Sequence, residues 1–64
     1  MHINKKAVML KMAMLQINQS QLAKLSGISR QTLSAVINGK SCRPDLLGKI
    51  AKGLEVDVTE IIEQ

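Results

Sequence analysis

Apolar residues recur at helical spacing along nearly the whole 64-residue chain. Val8, Met12 and Leu15 fall at i, i+4 and i+7, which predicts a first helix from about Asn4 to Gln16. Asn18 followed by Gln21 is a capping pattern: the Asn side chain accepts from a free amide of the next turn, and the residue three on reaches back. A second helix is expected over 19–26, burying Leu22 and Ala23. Gly27 follows as a helix-ending residue that tolerates positive φ. Ile28 is an apolar plug, and Ser29 caps a third helix over 30–37 with Leu33 and Val36 inward. Asn38-Gly39 closes that helix. Pro44 suits a first helical turn and opens a fourth helix over 44–54, burying Leu47, Ile50, Ala51 and Leu54. Asp57 with Glu60 repeats the capping pattern and predicts a short fifth helix over 58–63 that contributes Ile61. No segment alternates usefully with period two. The expected fold class is all-α, five helices in one domain over 1–64.

The second and third helices are joined by Ser26-Gly27-Ile28-Ser29. Two short helices around a tight turn with Gly form the helix-turn-helix pattern. Leu33 and Val36 turn inward, so Arg30, Gln31, Thr32, Ser34 and Ala35 face outward. That face suits a DNA major groove: Arg bonds guanine in bidentate fashion, Gln bonds adenine, and Ala or the Thr methyl meets the thymine methyl. Two amphipathic helices of an ordinary bundle would show the same periodicity with no partner.

Charge sharpens the choice. Residues 1–44 hold Lys5, Lys6, Lys11, Lys24, Arg30, Lys40 and Arg43 and no carboxylate. Residues 45–64 hold Lys49 and Lys52 against Asp45, Glu55, Asp57, Glu60 and Glu63, and the whole chain is net +4. A long acid-free stretch favours a polyanionic partner. Helix N-termini carry free amides and partial positive charge, so the starts of the second and third helices, at Gln19 and Ser29, are natural phosphate seats.

From Asn18 to Ile62 the sequence resembles the lambdoid phage repressor and Cro family of helix-turn-helix, XRE-like regulators. The carrying residues are INQSQLAKLSGISRQTLSAVINGK and RPDLLGKIAKGLEVDVTEII, with Gln19, Leu22-Ala23, Gly27, Ser29, Leu33, Asn38-Gly39-Lys40 and Pro44 at family spacing. The resemblance implies a five-helix lambda-repressor-like domain that binds operator DNA, as a homodimer at least on DNA. By position it implies base contacts from Arg30, Gln31 and Ala35, with Thr32 and Ser34 nearby. It implies phosphate contacts from Gln19, and from Asn38, Lys40 and Arg43 in the loop after the third helix. The function expected is a small transcriptional repressor of a phage or mobile element. The alternative is an antitoxin-type interaction protein of the same fold that holds a protein partner.

Three departures stand out. Met12 and Ile37 occupy positions where the family often pairs Arg with Glu, so an ion pair gives way to an apolar contact. Glu55 stands where Gly or Asn is preferred after the fourth helix; a left-handed conformation there costs about 1 kcal/mol or more. Gly48 and Gly53 inside the fourth helix each cost roughly 1 kcal/mol against Ala.

The remaining chemistry is sparse. With one Cys and one His, no disulfide framework or zinc site can be built, and no cofactor or catalytic constellation is expected. Cys42 reads as a plain loop residue, the alternative being a redox sensor whose thiolate Lys40 and Arg43 would favour. His2 reads as part of a mobile N-terminus. No apolar run approaches the roughly 20 residues of a membrane span, so a cytoplasmic setting without a membrane partner is expected. Met9, Leu10, Ala13 and Met14 form a second apolar stripe roughly 160° from the core stripe at about 100° per residue. Self-association would use that stripe or, as the family usually does, a surface near the fourth and fifth helices.

Overall fold

The computed structural model describes residues 1–63. Four α-helices follow one another: α1 (Lys5–Leu15), α2 (Gln19–Ser26), α3 (Arg30–Ile37) and α4 (Pro44–Leu54). Each boundary has a local cause. Asn4 Oδ1 accepts from the Ala7 amide at 3.0 Å to start α1. Asn18 and Gln21 form a reciprocal capping box at α2. Ser29 Oγ accepts from Thr32 N at 3.1 Å to start α3. Pro44 fills the first turn of α4, where its missing N–H is not needed. Gly27 takes φ 72° at the end of α2, so the chain reverses within three residues. The α1 and α4 ends instead place Gln16 (φ 57°) and Glu55 (φ 59°) in the left-handed region.

α2 is the hub. Its most extensive packing is on α4, followed by α3, while α1 rests on α4. Leu22, Leu33, Leu47, Ile50, Leu54, Ile61 and Val8 are almost fully enclosed. With no aromatic residue, this core is built from aliphatic side chains, the Met12 thioether and the Cys42 thiol. Met12 and Ile37 are both buried in it, while Leu15, Ile17 and Ile28 pack half-buried at its edge.

The expected fifth helix is one 3₁₀ turn, Val58–Glu60. Its capping box, Asp57 with Glu60, forms as predicted. The helix stops there because the following backbone is claimed by the chain's other end. Ile62 forms an antiparallel bridge with Ile3, the Asn4 amide donates to Ile61 O, and the Glu63 amide donates to His2 O at 2.9 Å. The N-terminus is therefore not mobile as its sequence suggests: Ile3 is buried and anchors the arm, though the His2 side chain is exposed. No helix among the described residues is long and apolar enough to cross a membrane.

Candidate nucleic-acid interface

The turn between α2 and α3 fixes how α3 is presented. Gly27 N–H donates to Lys24 O and Ile28 N–H to Ala23 O, closing the α2 end. Leu33, Val36 and Ile37 bury one face of α3. The opposite face leaves Arg30, Gln31 and Thr32 exposed, with Ser34 and Ala35 half-buried. Two of these side chains are locally engaged. Ser29 Oγ donates to Thr32 Oγ1 at 2.7 Å, and Asn38 Nδ2 donates to Ser34 Oγ at 3.4 Å. Arg30 and Gln31 are exposed, and neither side chain makes a hydrogen bond among the described residues.

Beyond α3 the chain doubles back. Lys40 N–H donates to Ala35 O at 3.0 Å, and Gly39 takes φ 113°, which only glycine adopts readily. The return of the loop beside α3 creates one concave surface of about 630 Å³. Gln31, Thr32 and Ala35 form one wall; Lys40, Ser41, Cys42 and Arg43 form the other, with Asp45 and Leu46 of α4 behind. The structure thus brings together Gln31, Thr32, Ala35, Lys40 and Arg43. Gln19, Ser29, Arg30 and Asn38 lie outside that concavity at helix ends, and Ser34 lies outside it in the middle of α3.

Three lining residues escaped sequence reasoning. Ser41 places an exposed residue with a hydroxyl between Lys40 and Arg43, a position its neighbours' charge could have flagged. Asp45 sets a carboxylate beside two cations in the same hollow. Cys42 lies in the loop as its sequence suggests, but it is buried in the core cluster, and its N–H donates to Met1 O at 2.7 Å. Burial pushes its thiol up from the ordinary value, the positive N-terminus pulling the other way by less. No group of three or more metal-ligating side chains gathers among the described residues.

A second, more apolar hollow of about 410 Å³ lies among Leu15, Ile17, Leu25, Lys52, Gly53 and Glu55. On α1, Met9, Leu10 and Met14 are exposed, so the second stripe does face outward.

A family described as helix-turn-helix matches residues 9–61. Among curated proteins no sequence matches this chain. A crystal structure of a point mutant of the restriction-modification controller protein C.Esp1396I is similar in fold, with a TM-score of 0.77 at 23% identity. The match covers 86% of this chain and 73% of that one.

Proposed function

The chain belongs to the helix-turn-helix family of DNA-binding transcription regulators, and from that premise we propose that it reads a specific double-stranded operator through α3. The observation that carries this reading is the shared hollow. Polar and methyl-bearing groups of α3 face cations of the following loop across one concave surface, within a stretch that has no acid before Asp45. Arg30, Gln31, Thr32, Ser34 and Ala35 meet base edges in the major groove. Gln19, Ser29, Asn38, Lys40 and Arg43 hold phosphates on either side, aided by the free amides at the starts of α2 and α3. The regulated unit belongs to a phage or mobile element, and the outcome is repression by occupancy. The reading assigns no catalytic step and no cofactor.

Selection from a random duplex pool tests this. A recurring short site should emerge and be bound at least about a thousandfold better than random DNA at about 150 mM salt. A pool that yields no recurring sequence overturns the reading.

The exposed Met9, Leu10 and Met14 stripe supports a protein surface alongside the DNA surface. We place self-association there or at the hollow between the ends of α1, α2 and α4, giving a homodimer on a two-fold site. The same features favour, as second reading, a fold of this type that holds a protein partner. A stable stoichiometric complex with one protein, combined with no duplex preference, would establish that second reading.

A further inference from the structure

The loop that carries Lys40 and Arg43 is tied to both ends of the described chain. Lys40 N–H still donates to Ala35 O of α3, and Arg43 O already accepts from Leu47 N–H of α4. Between them the Cys42 amide turns to Met1 O at 2.7 Å. The residues around Met1 are held in turn. Ile3 is 4% exposed and bridges Ile62; the Glu63 amide donates to His2 O, and the Asn4 amide donates to Ile61 O. A continuous backbone relay thus runs from the 61–63 tail, through the 1–4 arm, to the wall of the hollow beside α3.

We propose that this clasp is a positioning device for DNA binding, with Met1, Ile3 and Cys42 setting where Lys40 and Arg43 stand relative to α3. The proposal rests on the reading of Lys40 and Arg43 as phosphate contacts. A loop fixed before binding loses less freedom when it meets a phosphate, so two cations engage together rather than one at a time. The buried Cys42 side chain serves the same end. It fastens the middle of a loop whose flanking Ser41 and Arg43 are exposed. The relay also gives the 61–63 tail influence over the DNA surface: whatever draws that tail away would loosen the arm and then the loop.

The test loosens one link by two routes; because Ile3 belongs to the buried core, the melting temperature is followed in each variant so that lost packing is read apart from lost positioning. Deleting His2 shifts Met1 into its place next to Ile3, so that the Met1 carbonyl no longer stands opposite the Cys42 amide. Ile3→Ala, which shortens the anchor at constant length, is the companion variant should the deletion fail to fold. In each, the Cys42 amide should exchange with solvent at least about tenfold faster. Affinity for the selected site and for random duplex should fall by the same factor, roughly three- to tenfold. The log-affinity against log-salt slope should flatten by about 1, with base preference unchanged. A merely stabilising role would lower the melting temperature and leave that slope intact. Exposure of the Cys42 amide with wild-type affinity and slope would overturn the clasp alone. A wild-type chain that prefers no duplex would overturn the proposed function, and the clasp's role with it.

Discussion

Gly53 of α4 lies against Ser26 of α2 so closely that a Cβ on Gly53 would collide with Ser26 Oγ and stand 3.3 Å from the Ser26 amide. Leu22 Cδ1 would be 3.2 Å away. This is where the two most extensively packed helices meet, and the missing side chain lets them approach. Gly48, one and a half turns earlier, would meet nothing within 4 Å. The two glycines therefore answer alanine with opposite signs. Gly48→Ala should stabilise by about 1 kcal/mol through helix propensity alone. Gly53→Ala should destabilise by roughly 1–3 kcal/mol, overpacking outweighing propensity. Ser26 Oγ is buried without a hydrogen-bond partner among the described residues, so Ser26→Ala should be near neutral or stabilising and should restore part of the Gly53→Ala loss. Denaturant titration of the three single variants and of the Ser26→Ala/Gly53→Ala double mutant measures each sign.

Glu55 ends α4 at φ 59°, and its amide donates to Lys52 O at 3.1 Å. Glycine adopts that conformation without the Cβ penalty. Glu55→Gly should stabilise by about 1 kcal/mol, raising the melting temperature by roughly 4–8 °C for a domain this small. Thermal unfolding checks it, and an unchanged or lower midpoint would contradict it.

Met12 and Ile37 lie 5% and 3% exposed within one buried cluster. Met12→Arg or Ile37→Glu alone should destabilise by about 3–5 kcal/mol, because each buries a charge without a partner. The double variant should lose less than the sum, since the two charges can neutralise each other. Strict additivity in chemical denaturation would mean that these two side chains do not meet.

Burial raises the Cys42 thiol, so the folded state favours the protonated form. The associated stability is present below the unfolded thiol's pKa and is lost as pH rises through the higher folded value. The folded protein should react slowly with a thiol reagent at neutral pH, and the rate should rise sharply on unfolding. A native rate equal to that of a free thiol would contradict the burial.

The fold was legible where side chains write the boundaries. Asn18 with Gln21, Gly27, Ser29 and Pro44 fixed α2, α3 and the start of α4, because caps and turns act within four residues. The clasp was not legible. It joins Met1 to Cys42 and the 2–4 arm to residues 61–63 through main-chain groups, which every residue possesses, so neither end carries a distinguishing side chain. For the same reason the 58–63 segment reads as a helix although its later residues bond to the 1–4 arm. Gly53 reads as a helix weakness until α2 is seen against it. Within the interface, the outward face of α3 follows from the inward Leu33 and Val36. The joining of Lys40 and Arg43 to that face depends on the loop doubling back, which the sequence signals only through Asn38-Gly39.

The central claim is a division of labour, with α3 reading bases and the loop after it gripping phosphates. It is tested most directly by salt titration of DNA binding, on the selected site and on single-base variants of it, for Arg30→Ala, Gln31→Ala and Lys40→Ala. Arg30→Ala and Gln31→Ala should each cost about 1–3 kcal/mol on the selected site and relax preference at one or two base pairs. Lys40→Ala should weaken binding to every duplex alike and flatten the log-affinity against log-salt slope by about 1. The reverse pattern, with base preference altered by Lys40→Ala and a uniform loss from Arg30→Ala and Gln31→Ala, would contradict the account.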